Sequence, residues 1–200
     1  MELTLDMQNT RPFLETSFMD GWAITHYSLD GKFSEIANQI YVCKYNKGGY
    51  SIEDRKAAGD KLLKIVKEFI SINWPRVDRP FDAVVTPPQN LEKEFNVTSH
   101  IAENLNAGRI NNLSSFLKKH REIKPLKNIS LESERLKEIE KGLKFEYPPM
   151  LGIPQGILVL DDILGTGTTA REASRAVREN LPEVPQYYLA LTYIKGQAIK

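Results

Sequence analysis

The chain has few residues that could tie a fold together covalently or through a metal: of its 200 residues only Cys43 is cysteine, and only three are histidine. One thiol excludes an intramolecular disulfide and any zinc site built on several thiolates, and it fits a reducing compartment. Burial as a small apolar group is the ordinary use of such a cysteine, a reactive thiol the rarer one. His26, His100 and His120 are too scattered and too thinly accompanied to suggest a metal triad. No run approaches the roughly 18–20 consecutive apolar residues of a membrane span. The first residues carry Glu2 and Asp6 where a secretory leader would be basic. A cytoplasmic protein without membrane contact is therefore expected. An excess of charge of one sign is missing too: 27 Lys and Arg against 26 Asp and Glu leave a formal +1, without the chain-wide basic footprint of duplex DNA binders. Internal repeats and low-complexity tracts are absent.

What is present suits one domain spanning residues 1–200, since 41% apolar residues can bury a core of ordinary size. Residues 22–29 and 39–45 carry the β-branched and aromatic residues of strands, either a hairpin or two edge strands, separated by the Asp30-Gly31 turn signal. Ser51 with Asp54 three residues later resembles a helix-opening cap. The spacing of Ile52, Leu62, Ile65, Val66 and Phe69 predicts an amphipathic helix ending before Trp74-Pro75. Residues 81–86 form a short apolar run stopped by Pro87-Pro88, the pattern of a buried parallel strand. Asn96 or Thr98 can cap a helix through Ile101, Ala102 and Leu105. From residue 111 to 149 charges are dense and the apolar pattern weakens. There Glu132, Glu134, Glu138 and Glu140 alternate with Lys137 and Lys141, as on an exposed helix. Residues 157–160 form an apolar strand, a helix follows from about Thr169 to Asn180, and residues 187–194 read as a last strand. Strand and helix in alternation predict an α/β fold with a central, mainly parallel sheet flanked by helices and right-handed crossovers.

The segment Asp161-Asp162-Ile163-Leu164-Gly165-Thr166-Gly167-Thr168-Thr169 stands between that apolar strand and its helix. Unpaired N–H groups at a helix mouth favour an anion. Gly165 and Gly167 allow a tight turn and close approach, while Thr166, Thr168 and Thr169 add hydroxyl donors, so the loop suits a monophosphate. Asp161 and Asp162 would repel a bare polyphosphate but suit the hydroxyls of a ribose, which donate to carboxylates. A ligand with phosphate at one end, a diol in the middle and Mg²⁺-bound pyrophosphate beyond matches the whole segment.

Four apolar residues, two acidic residues and a Gly and Thr loop resemble the 5-phosphoribosyl 1-pyrophosphate (PRPP) signature of type I phosphoribosyltransferases. Where the usual pattern opens its loop with Thr-Thr-Gly, this chain has Gly165-Thr166-Gly167. The resemblance implies that fold, with residues of about 1–50 contributing a small hood or edge strands and about 51–200 the core. It gives Asp161 and Asp162 the ribose hydroxyls and Gly165, Thr166, Gly167, Thr168 and Thr169 the 5′-phosphate. It also implies a pyrophosphate loop after the first core strand, at Thr86, Pro87, Pro88, Gln89 and Asn90, with Lys93 as a nearby cation. A Pro-Pro turn is equally a plain strand terminator, and most lysines are simply solvated.

A broader and weaker likeness, from about residue 41 onward, is to the competence protein F group. It rests on Val84-Val85-Thr86-Pro87, on Lys93-Glu94-Phe95-Asn96 through Ala102, and loosely on Pro125, Ser130 and Arg135, whose spacing to Phe145 departs from the group. The zinc-binding cysteines often found there are missing, so no zinc is carried over.

The resemblance implies an enzyme that transfers the phosphoribosyl group from PRPP to an unidentified nitrogenous base, with Mg²⁺ arriving as the PRPP complex and a homodimer by analogy. Catalysis would rest on Asp161 and Asp162 without a direct protein ligand for the metal. The alternative is a non-catalytic PRPP-binding regulator or nucleic-acid-associated accessory protein of the same fold. A Walker B strand is a further reading, but no Gly-x-x-x-x-Gly-Lys-[Ser/Thr] accompanies it. A purely structural strand, turn and helix is another. The basic stretch Lys118-Lys119-His120-Arg121, continuing to Lys124 and Lys127, is a solvated face or a lid over pyrophosphate. As a single-stranded nucleic-acid contact it lacks interleaved aromatics.

Overall fold

The protein is described by a computed structural model covering residues 3–45, 49–74, 80–88, 94–105, 110–124, 129 and 131–194, apart from the side chain of residue 132. Along the chain the principal elements are β1 (Arg11–Pro12), β2 (Asp20–His26), β3 (Ser28–Leu29), β4 (Lys32–Phe33), α1 (Glu35–Lys44) and α2 (Ile52–Asn73). They continue with β5 (Ala83–Val85), α3 (Val97–Asn104), β6 (Asn111–Asn112), β7 (Leu117–Lys119), α4 (Glu132–Ile139) and β8 (Leu143–Phe145). The last three are β9 (Ile157–Leu164), α5 (Thr168–Arg178) and β10 (Gln186–Tyr193).

The fold is α/β: a six-stranded sheet in the order β1-β2-β10-β9-β5-β6, parallel throughout except for the antiparallel edge strand β1. Its centre is β9, whose first four residues are all buried because helices cover both faces. Leu158 and Leu160 pack with α1, α2 and α3, while Ile157 and Val159 pack with α5 and the β7–β8 pair. The chain leaves β5 through α3 for β6 on one side, and leaves β9 through α5 for β10 on the other. The strand order therefore reverses between β5 and β9, and the carboxyl ends of those two strands border the crevice where such sheets bind ligands.

Several local expectations hold. Ser51 and Asp54 form a reciprocal capping box, and α2 ends with Trp74 as its cap. Asp30 and Gly31 turn the chain with φ of 51° and 78° between β3 and β4, a two-residue hairpin of the primed type. Cys43 is buried in the core, where burial pushes its thiol up to about 12.

Residues 39–45, expected as a strand, belong instead to α1 and its cap. Ser34 accepts from Ala37 N–H at 3.1 Å, and Ile36, Ala37, Ile40 and Cys43 put the buried face at helical spacing, which outweighs β-branched content. The first strand also differs from its expected place in a cover or at an edge: β2 is an internal strand between β1 and β10. The charge-dense stretch after residue 111 forms β7, α4 and β8, docked on α5. Buried Glu172 accepts from Leu143 N–H (3.1 Å), and Arg175 donates to Leu143 C=O (2.8 Å) while pairing with Glu172 (2.8 Å). Among the described residues no helix is long and apolar enough to cross a membrane.

Candidate functional site

The strand expected to stop at Leu160 runs on through both aspartates to Leu164, held by its ladder with β10, in which Leu164 pairs with Tyr193. Only Gly165, Thr166 and Gly167 then separate it from α5. Gly167 is the N-cap, with φ 77°, and a Cβ there would lie 2.8 Å from Phe13 Cζ. Two independent constraints thus exclude a side chain. Without one, Gly167 makes no side-chain cap, and the first intrahelical bond of α5 runs from Arg171 N–H to Gly167 C=O at 2.9 Å. The N–H groups of Thr168, Thr169 and Ala170 precede that bond and have no intrahelical acceptor, so the helix mouth presents donors and a positive dipole end. Thr166 and Thr168 share a hydroxyl bond of 2.7 Å. Arg171 braces the loop from behind, donating to Thr166 C=O (2.8 Å) and to Glu15 (3.1 Å).

Successive strand residues face opposite sides of a sheet, and the aspartates follow that rule. Asp161 lies toward the α5 face, accepting from Tyr188 O–H at 3.4 Å and, through its other oxygen, from Asp162 N–H at 2.8 Å. Burial, then the neighbouring Asp162 charge, raises Asp161 to about 7. Asp162 lies toward the α1 face, where its carboxylate forms an ion pair with Lys44 Nζ, both side chains nearly buried at 7% and 16% exposure. Burial alone would lower the lysine, but Asp162 and then Asp161 outweigh it and hold its pKa above the usual value.

A pocket of about 460 Å³ straddles the carboxyl edge of the sheet at this point. It brings together Asp161, Asp162, Gly165, Thr166, Gly167, Thr168 and Thr169. Four cationic or aromatic side chains join them: Lys44 and Tyr45 from the end of α1, Arg135 from α4, and Tyr188 from β10. Chemically the site can offer amide and hydroxyl donors to a phosphate, carboxylate acceptors to a diol, and cations on either side.

Thr86, Pro87 and Pro88 do not line this pocket. Thr86 is 3% exposed, its N–H is used by Ser114 Oγ at 3.0 Å, and the two prolines have no N–H to offer an anion. Lys93, with Gln89 and Asn90, lies outside the described residues, as does Lys127. The rest of the basic stretch is built into β7 and its neighbours. Lys118 pairs with Glu146 (3.4 Å), Arg121 with Glu138 (3.7 Å), and Lys124 N–H meets Glu138 at 2.8 Å.

Lys44 and Tyr45 were missed by the sequence reading because residues 39–45 read as a strand; the apolar spacing from Ile36 to Cys43 was the signal that places them at a helix end. Tyr188 was hidden in an apolar strand. Among the described residues no group of three or more His, Cys, Asp or Glu side chains is arranged to hold a metal ion. No family model matches the chain, and no curated protein matches it.

Proposed function

We propose that this chain is a type I phosphoribosyltransferase, similar to the competence protein F group, that binds PRPP and transfers its phosphoribosyl group to a nitrogen nucleophile. The observation that carries the reading is the run from Asp161 to Thr169: two carboxylates on successive strand residues, opening within three residues onto an uncapped helix mouth in a crevice where the strand order reverses. The Gly165 to Thr169 donors receive the 5′-phosphate, with Arg135 adding a cation. Asp161 and Asp162 accept from the ribose hydroxyls.

In the reaction the bond from the anomeric carbon to pyrophosphate breaks, the nucleophile's nitrogen bonds to that carbon, and the nucleophile loses its proton. Magnesium arrives on the substrate's pyrophosphate and neutralises the leaving group. The chain supplies positioning, an effect on the order of 7–11 kcal/mol in favourable cases. It also supplies negative charge near the positive ribose of the transition state.

The test is a calorimetric titration with PRPP, with and without Mg²⁺, followed by assay of pyrophosphate release with a panel of purines and pyrimidines. Saturable Mg²⁺-dependent binding with release in the presence of one base is expected. No binding overturns the reading. A second reading, a PRPP-binding regulator that does not turn over, is favoured by one observation: Thr86, Pro87 and Pro88 stay out of the pocket. Binding without release would select it.

A further inference from the structure

We infer that Lys44 is a positioning residue of this pocket: its ammonium, set against Asp162 from the α1 face, offsets the negative charge of two adjacent buried carboxylates and so keeps acceptors on the pair for the ligand hydroxyls. The inference rests on the diol role proposed above and adds a residue that the motif itself does not contain.

Asp161 and Asp162 are consecutive, so the backbone fixes them close together whatever their side chains do, and each disfavours the charge of the other. Asp161 has hydrogen bonds from Tyr188 and from the Asp162 amide, and among the described residues no cation is bonded to it. Asp162 has Lys44. Taking Lys44 away leaves a buried dyad with its neutralising partner gone, which relieves itself by holding a proton between the two carboxyls. A carboxyl that carries a proton has one acceptor fewer for a diol. Lys44 thereby acts through Asp162, with no contact to the ligand required.

Among the described residues, the remaining groups around the pair do not substitute for it. Tyr188 comes from β10, Tyr27 follows β2, Tyr45 caps α1 beside Lys44, and Cys43 of α1 faces Asp162, while Tyr41 of α1 faces Tyr27 and Arg55 of α2 faces Cys43. Tyr27, Cys43 and Tyr188 are all pushed upward by burial, away from neutral pH. Arg55 is engaged elsewhere, donating to Tyr50 C=O at 3.3 Å.

The test compares wild type, K44M and K44R, with ribose 5-phosphate as the calorimetric probe from pH 6 to 9, and follows the aspartate carboxyls by ¹³C NMR without ligand. K44M should bind about tenfold more weakly at pH 8, above the wild-type Asp161 value of about 7, the loss of one charged acceptor. The deficit should shrink as pH rises, and K44R should recover most of it. A K44M protein with wild-type affinity across the range and unchanged carboxyl titration overturns the inference.

If K44M does not fold, the double variant K44M/D162N decides: recovered thermal stability supports a stranded charge, and no recovery assigns the loss to packing and overturns the proposal. Wild type that binds neither ribose 5-phosphate nor PRPP refutes the pocket reading alone. The NMR comparison then still reports whether Lys44 controls the dyad: a carboxyl titrating at higher pH in K44M sustains that, and an unmoved one ends it.

Discussion

Strands β9 and β5 lie side by side, both apolar and buried up to the Val159–Val85 pair, yet their carboxyl ends do opposite things. β9 runs five residues beyond that pair and gives way to a Gly and Thr turn whose donors face a pocket. β5 stops at Val85, and the chain enters Thr86-Pro87-Pro88, where one amide is consumed by Ser114 and two residues have none. The topology offers both strand ends to the same crevice. Only the residues after the strand decide which end can hold an anion, because a phosphate cradle needs unspent N–H groups.

That contrast can be broken most severely at Gly167. In Gly167→Val the added side chain meets Phe13 in a left-handed backbone, so we expect a stability loss on the order of 2 kcal/mol by urea denaturation and abolished binding of ribose 5-phosphate. Retained binding would mean that the helix mouth is not the cradle.

Asp161→Asn should have the next largest effect, about a tenfold loss of affinity for the same probe, with a gain in stability at high pH. The sign follows from its folded pKa of about 7 against a usual 3.8. Between those values the folded state binds a proton that the unfolded state does not, so this group's contribution falls as pH rises from about 4 to 7 and is fully unfavourable above. The Asn variant should flatten that slope in a series of urea midpoints measured against pH.

The smallest effect is expected at the β5 end. Ser114→Ala leaves the Thr86 N–H without its acceptor and should cost about 1–2 kcal/mol, while ligand affinity stays at the wild-type value. A matching loss of affinity would bring the β5 end back into the site.

Much of this was legible along the chain. The β9 and α5 motif could be read because strand, turn and helix are consecutive and each residue type has a local reason to be there: apolar residues for a strand covered on both faces, glycine for φ 77°, threonines beside the helix mouth. The 22-residue α2 was equally plain, since its length averages over local exceptions and its capping box is contained in four residues. Residues 39–45 misled because a short segment rich in Tyr, Val and Ile satisfies strand propensity. The helical spacing emerges only when Ile36 and Ala37 are counted with it.

The sequence by itself determined the Gly and Thr turn at the helix mouth and the acidic pair before it, because those features depend on neighbours within about ten residues. Only the tertiary structure decided that β2 is an internal strand of the sheet, that Thr86 turns inward, and that Lys44, more than a hundred residues before Asp162, becomes its partner. Long-range pairings of this kind are set by how helices and strands pack over one core, and no local pattern encodes which cation will face a given carboxylate.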